Sequence, residues 1–197
     1  MRRQPRACTQ TMRKHPNFIC CRGCIKPADH QQSTAPLPIL QDLSTNTCSP
    51  FAEKLRSYIK DTGAFLRRIE NTKKVNHNSI LVTMDVSALY TSIPHREGIN
   101  AVAQALESRK NPTIITRVII KFLTLILYLN NFSFNGENYL QKKGCAMGAK
   151  CSGSYSDLFM GCFESCFIYP KINNKHLLYS RFKDEIFMIW TDGEASV

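Results

Sequence analysis

Apolar positions along this chain fall into helical spacing first and strand spacing later. Residues 1–48 are polar and basic and have no apolar periodicity. Ser49-Pro50 then offers a helix start, with Phe51, Leu55, Tyr58 and Ile59 on one face. Asp61 or Thr62 can cap a following turn that carries Phe65, Leu66 and Ile69 inward. The run Ile80-Leu81-Val82-Thr83-Met84 reads as a buried strand that ends on Asp85. Ile99, Val102, Ala103 and Leu106 make one stripe of a helix over residues 95–108, and Lys110-Asn111-Pro112 breaks it. A second helix, over residues 113–129, is apolar on most of its surface and is expected to be central. Alternation around Asn135-Gly136 predicts a hairpin over residues 131–140. Helical spacing returns over residues 152–167. Residues 177–190 then read as a second hairpin with Lys183-Asp184-Glu185 at its tip, and Asp192-Gly193 turns the chain.

A chain of 197 residues suits one domain with a tail. Residues 1–48 are expected to be a basic, cysteine-containing, poorly ordered arm, and residues 49–197 the globular part. The net charge of +11, from 26 Lys and Arg against 15 Asp and Glu, implies an anionic partner. Nucleic acid fits that sign best, although an acidic membrane surface would fit it too. Nine cysteines, with no apolar segment after the basic start, point to a nuclear or cytoplasmic chain with free thiols, not a secreted one. Cys8, Cys20, Cys21 and Cys24, with His15 and His30 near them, hold one Cys-x-x-Cys pair and no second at a matching spacing, which favours the arm over zinc. The apolar run at residues 122–129 falls far short of the roughly 20 residues a membrane span needs. No membrane partner is expected.

The candidate chemistry begins with Asp85. A carboxylate on the rim of a buried strand needs a counter-charge, and a hard cation with oxygen ligands supplies one. From these residues alone, a cap on the next turn is the plainer account of Asp85. Asp184 and Glu185, at the tip of the late hairpin, offer a second carboxylate. Between them, Gly144 and Gly148 lie among Lys142, Lys143 and Lys150, so a backbone could approach a phosphate closely there. A solvated loop is the plainer reading.

Together these stretches resemble, in order, the palm motifs of a reverse transcriptase, and most closely those of Penelope-like retroelements, which are related to telomerase. That family's first motif runs Asp-Val-x-x-Leu-Tyr-Thr-Asn-Ile-Pro-His-x-Glu-Gly-Ile, and residues 85–99 match it almost throughout. Residues 144–161 resemble its second motif through Ala146-Met147-Gly148, Lys150, Ser154-Tyr155 and Leu158-Phe159-Met160-Gly161. Residues 181–190 resemble its third, Arg-Tyr-Ile-Asp-Asp-Ile-Phe-x-Ile-Trp. Ser57-Tyr58-Ile59-Lys60-Asp61-Thr62 resembles the stretch just upstream of the palm.

The resemblance implies an α+β fold of split βαβ type, an antiparallel sheet with helices on one face, with the fingers incomplete and the thumb missing. It implies an RNA-directed DNA polymerase acting on an RNA template, a DNA primer and deoxynucleoside triphosphates. Two Mg²⁺ ions, or Mn²⁺, would serve the transfer. Asp85, Asp184 and Glu185 would be catalytic, and Asp85, Val86 and Asp184 would hold metal. Tyr90, Gln141, Gly144 and Lys150 would face the nucleotide, with Tyr90 screening the 2′-hydroxyl unless it is a core tyrosine. Departures from the pattern are Phe182, Lys183, Glu185 and Ser152-Gly153, the last standing where the family has Ala-Pro. Lys183 would set a competing cation beside the metals, an effect of a few kcal/mol at an effective dielectric of about 20. Basic fingers motifs are not recognisable in residues 1–48. An incomplete fragment with little activity of its own is therefore expected. The alternative is a catalytically inactive remnant that binds nucleic acid through its basic surface.

Overall fold

Three strands make the sheet that organises the chain. In the computed structural model, which describes residues 38–191 apart from 73–74, 111, 135–136 and 173–174, β1 (Ile80–Asp85) lies at one edge. Two later strands complete the antiparallel order β1-β5-β4: β4 (His176–Phe182) at the far edge and β5 (Glu185–Trp190) in the centre. A tight turn, Lys183-Asp184, joins β4 to β5, as the late hairpin pattern predicts. Upstream of β1, Ser57 to Ile59 run parallel to β4. Arg181 N donates to Ser57 O at 2.7 Å and Ile59 N to Arg181 O at 3.0 Å, so β4 does not present a free edge there.

Helices cover one face of this sheet. The main core lies among α1 (Pro38–Ala52), α4 (His95–Glu107), α5 (Thr116–Tyr128) and α6 (Ser152–Phe163), with Val102, Leu106, Ile119, Leu123, Leu127, Tyr155 and Phe159 buried. α6 continues through a π turn, Glu164–Ile168, into the short α7 (Tyr169–Ile172). That segment packs on Tyr179, Met188 and Trp190 of the sheet. On the opposite face, α2 (Thr62–Glu70) crosses near β5, with the rings of Phe65 and Phe187 edge-to-face at 5.1 Å. Asp61 caps α2, accepting from Ala64 N at 2.7 Å. A four-residue helix, α3 (Leu89–Ser92), follows β1. The expected hairpin is present as β2 (Asn131–Phe134) and β3 (Glu137–Leu140), with Phe134 opposite Glu137.

Several expectations need correction. The boundary at residue 48 falls inside α1, which begins at Pro38 and buries Ser44 and Cys48. Its periodicity is hidden because the hydroxyls of Thr45 and Thr47 fold back onto the carbonyls of Gln41 and Leu43, letting polar residues sit within the helix. Pro50 accordingly lies in the last turn of α1, not its first, and Tyr58 lies outside any helix. β1 is an edge strand with one face open, so Leu81 is 67% exposed where burial was expected. α5 buries a single face and leaves Leu125 and Tyr128 exposed, and Leu66 of α2 also faces solvent. The cysteines and histidines of residues 1–37, the Asn135-Gly136 tip and Asp192-Gly193 lie outside the described residues.

No described helix is long and apolar enough to cross a membrane. Burial pushes the Cys48 and Cys145 thiols up to about 12 and Cys151 up to about 11, so these three stay protonated near neutrality.

Two of the motif stretches meet at Gly98. A Cβ there would lie 2.0 Å from the Tyr155 hydroxyl oxygen and 2.4 Å from the ring carbon that bears it, and both residues are buried. Gly98→Ala is expected to destabilise the chain by about 1–3 kcal/mol through overpacking. A urea midpoint unchanged from wild type would show that the ring can move aside.

Candidate active site

The site begins with strand register. β1 pairs with β5 so that Asp85 stands directly opposite Glu185, while Val86 N donates to Asp184 O at 3.0 Å. Side chains alternate across a sheet, so Asp85, Thr83 and Leu81 share a face with Glu185, Phe187 and Ile189, and that is the face the α6 layer does not cover. A groove of about 870 Å³ opens there; its lining includes Asp85, Glu185, Phe187, Phe65, Lys60 and Asp61. Among the described residues Asp85, Asp184 and Glu185 make no side-chain hydrogen bond or ion pair. Asp85 and Glu185 are exposed and Asp184 half-buried.

Backbone strain gathers beside these acids. Only two non-glycine residues among those described have positive φ: Ala88 at 52° and Lys183 at 56°. One follows Asp85 closely and the other immediately precedes Asp184. Such conformations cost on the order of 1–2 kcal/mol each and persist only where the surroundings impose them.

Beneath the turn those surroundings are a buried ionic network that the sequence reading missed. The Arg181 guanidinium, 1% exposed, donates to Glu164 Oε1 at 2.6 Å and to Asp157 Oδ1 at 3.0 Å. Ser57 donates to Glu164 Oε2 at 2.5 Å and Tyr179 to Oε1 at 3.3 Å, so the carboxylate is satisfied on both oxygens. Burial alone would lower the Arg181 pKa, but the Glu164 and Asp157 carboxylates outweigh it and hold it above its ordinary value. The signal was available: Asp157 and Glu164 lie two turns apart on an otherwise apolar helical stretch and so share one side of it.

Lys183 joins this network and not the rim. Its ammonium lies 2.6 Å from Asp157 Oδ2, so the expected competing cation is already matched by a buried carboxylate. Gly153 leaves it room, since a Cβ there would stand 3.3 Å from the Lys183 nitrogen.

The four expected nucleotide-facing residues do not line the groove at Asp85. Tyr90, on α3, is half-buried against the main core. Gly144 adopts φ +72°, and a Cβ on it would lie 2.2 Å from Tyr90 O. The close approach this glycine permits is thus to the protein's own backbone, where Cys145 N donates to Tyr90 O and Gly144 N to Ile93 O, each at 2.7 Å. Buried His95 holds the same loop through an Nε2 contact with Gly144 O at 2.8 Å, and desolvation keeps its pKa below the usual 6.5. The neutral ring therefore donates to that carbonyl. Gln141 accepts from Asn130 Nδ2 at 2.5 Å and donates to Lys143 O at 2.8 Å. Lys150 pairs with Asp42 of α1 at 2.7 Å in an exposed salt bridge.

As metal donors, the rim offers oxygen only: the carboxylates of Asp85, Asp184 and Glu185 and the Val86 carbonyl. Among the described residues no three His, Cys, Asp or Glu side chains converge closely enough to cage an ion. Mg²⁺ seldom needs such a cage, because one or two carboxylates with water and substrate phosphates complete its shell. The donor set is of the right chemistry for that mode of binding.

No protein-family model matches the chain, and no curated protein does. Among solved structures it is similar to apo telomerase from Candida tropicalis truncated from its C-terminal domain, at 15% identity and TM-score 0.63, covering 81% of this chain and 35% of that one. It is likewise similar to telomerase from Candida albicans in complex with the TWJ fragment of telomeric RNA, at 12% identity and TM-score 0.62, covering 80% and 31%. The fold is telomerase-like. It is an α+β, reverse-transcriptase-like arrangement, as the motifs led one to expect, and at this identity the likeness is one of fold alone. The chain spans about a third of the length of these telomerases.

Proposed function

We propose that the chain carries the nucleotidyl-transfer centre of a reverse transcriptase of the Penelope-like type, working on an RNA template in the nucleus or cytoplasm. The observation that carries this reading is the register of Asp85 against Glu185, with Asp184 in the adjoining turn, on an unpaired rim of a telomerase-like sheet. Two Mg²⁺ or Mn²⁺ ions, when bound, would activate the primer 3′-hydroxyl and neutralise the departing pyrophosphate. Asp85 would hold them from the end of β1 and Asp184 from the adjoining turn, with Glu185 and the Val86 carbonyl beside them. The deoxynucleoside triphosphate would supply the remaining oxygens. Lys150 can reach a template phosphate by leaving its exposed partner Asp42, a pair whose loss costs about 1 kcal/mol or less. The net charge of +11 would hold template and primer through their phosphates, and one structural neighbour is itself in complex with RNA.

A second reading, a nucleic-acid-binding remnant without catalysis, is favoured by one observation: no three metal-ligating side chains converge among the described residues. Primer extension on poly-rA with Mg²⁺ or Mn²⁺ separates the two. Extension supports the polymerase. Salt-sensitive retention of primer and template without extension supports the remnant. Tyr90 offers a further check, since Tyr90→Ala in an extending enzyme is expected to admit ribonucleotides more readily. Unchanged sugar discrimination would assign the ring to the core it already touches.

A further inference from the structure

The contacts under the hairpin point beyond a passive ionic core. We propose that Lys183 and Asp157 are positioning residues that lock the acidic turn from beneath and thereby set the spacing of Asp85 and Asp184. Three contacts close a ring around the turn's strained residue. Lys183 Nζ donates to Asp157 Oδ2 at 2.6 Å, Arg181 Nη1 donates to Asp157 Oδ1 at 3.0 Å, and the same Nη1 donates to Lys183 O at 2.9 Å. The Lys183 side chain is thus fixed to the Asp157 carboxylate and its carbonyl to Arg181, which the same carboxylate holds, and its φ of 56° is held by that ring. The next peptide carries the constraint to the other acid, since Asp184 O accepts from Val86 N and Val86 directly follows Asp85. Charges close as well, with Arg181 and Lys183 set against Asp157 and Glu164. Gly153 adjoins the device, because a Cβ there would stand 3.3 Å from the ammonium and press it to shift. Two of the departures from the resembled motifs, Lys183 and Gly153, therefore stand next to each other.

The inference rests on the proposed metal site for its purpose but not for its test. Hydrogen exchange read residue by residue reports the turn directly, because the Val86 amide is protected by the turn carbonyl. Lys183→Met removes the charge and keeps an unbranched chain. Asp157 stays paired with Arg181, so the variant is expected to fold. The Val86 amide is expected to exchange about tenfold faster, in keeping with the loss of one hydrogen bond to a charged group. Amides at the Ile80 end of the same strand are expected to keep their rates, and Lys183→Arg to restore protection. Unchanged exchange at Val86, or an equal rise along the whole of β1, would overturn the positioning role, the latter by showing only a general loss of stability. Mn²⁺ titration by electron paramagnetic resonance runs alongside. A wild-type chain that binds no Mn²⁺ would remove the metal site, and the exchange data would still decide whether Lys183 locks the turn.

Discussion

In an extending enzyme, Asp85→Ala is expected to lower primer extension by about 10³-fold or more while leaving retention of nucleic acid almost unchanged. Asp85 is exposed, makes no side-chain partnership among the described residues, and ends an edge strand, so its loss should cost little stability. Its value lies in holding cations against the reacting phosphates, where electrostatic stabilisation of several kcal/mol translates into that many decades. Nucleic-acid retention comes from charge spread over the surface, and one carboxylate alters it little. Asp184→Ala is expected to behave alike. The informative comparison is Glu185→Gln. By resemblance this position is the less critical of the two acids at the tip, yet the register sets Glu185, not Asp184, directly opposite Asp85. Glu185→Gln is therefore expected to cost more than about tenfold in rate. If that variant extends primers as fast as wild type while Asp184→Ala is inactive, the second ligand is Asp184 alone. Measurable and equal extension by wild type and Asp85→Ala would end the two-metal reading altogether.

Much of this arrangement was legible in the sequence where local chemistry agrees with the tertiary fold. The strand into Asp85, the hairpin around Lys183-Asp184-Glu185, the Asp61 cap and the helix over residues 95–108 each carry their own period or turn signal. Burial was harder to read than element type. Leu81 looks like a core residue, yet a strand at a sheet edge with one face open exposes it, and no period-2 pattern says which edge a strand will occupy. α1 escaped notice because Ser44, Thr45 and Thr47 satisfy themselves or pack within the helix while looking like loop residues. The site suffered in the opposite way. A resemblance of motifs fixes residue identities along the chain but not which side chains touch. Lys183 consequently looked like an intruder among the metals, and Asp157, which absorbs its charge, went unremarked.

The same network is expected to dominate stability. Arg181→Met is expected to destabilise the chain by about 3–5 kcal/mol, because it strands two buried carboxylates that now share one guanidinium. Asp157 would keep Lys183, and Glu164 would keep Ser57 and Tyr179. Neutral hydroxyls do not replace a counter-charge, however, and one lysine cannot neutralise two acids. Set against a typical total of 5–15 kcal/mol, such a loss brings a domain of this size close to unfolding at ordinary temperature. Glu164→Gln alone is expected to hurt as well, leaving Arg181 and Lys183 with a single acid. Arg181→Met combined with Glu164→Gln should recover part of the loss, because Asp157 and Lys183 then remain as a matched pair and no buried charge lacks its partner. Urea unfolding of the four proteins measures this directly, provided the slopes agree. Additive losses in the double variant would mean that Arg181 and Glu164 contribute separately, through packing and not through their charges. Recovery would show that charge balance beneath the turn, more than any single contact, keeps the second and third motif stretches joined.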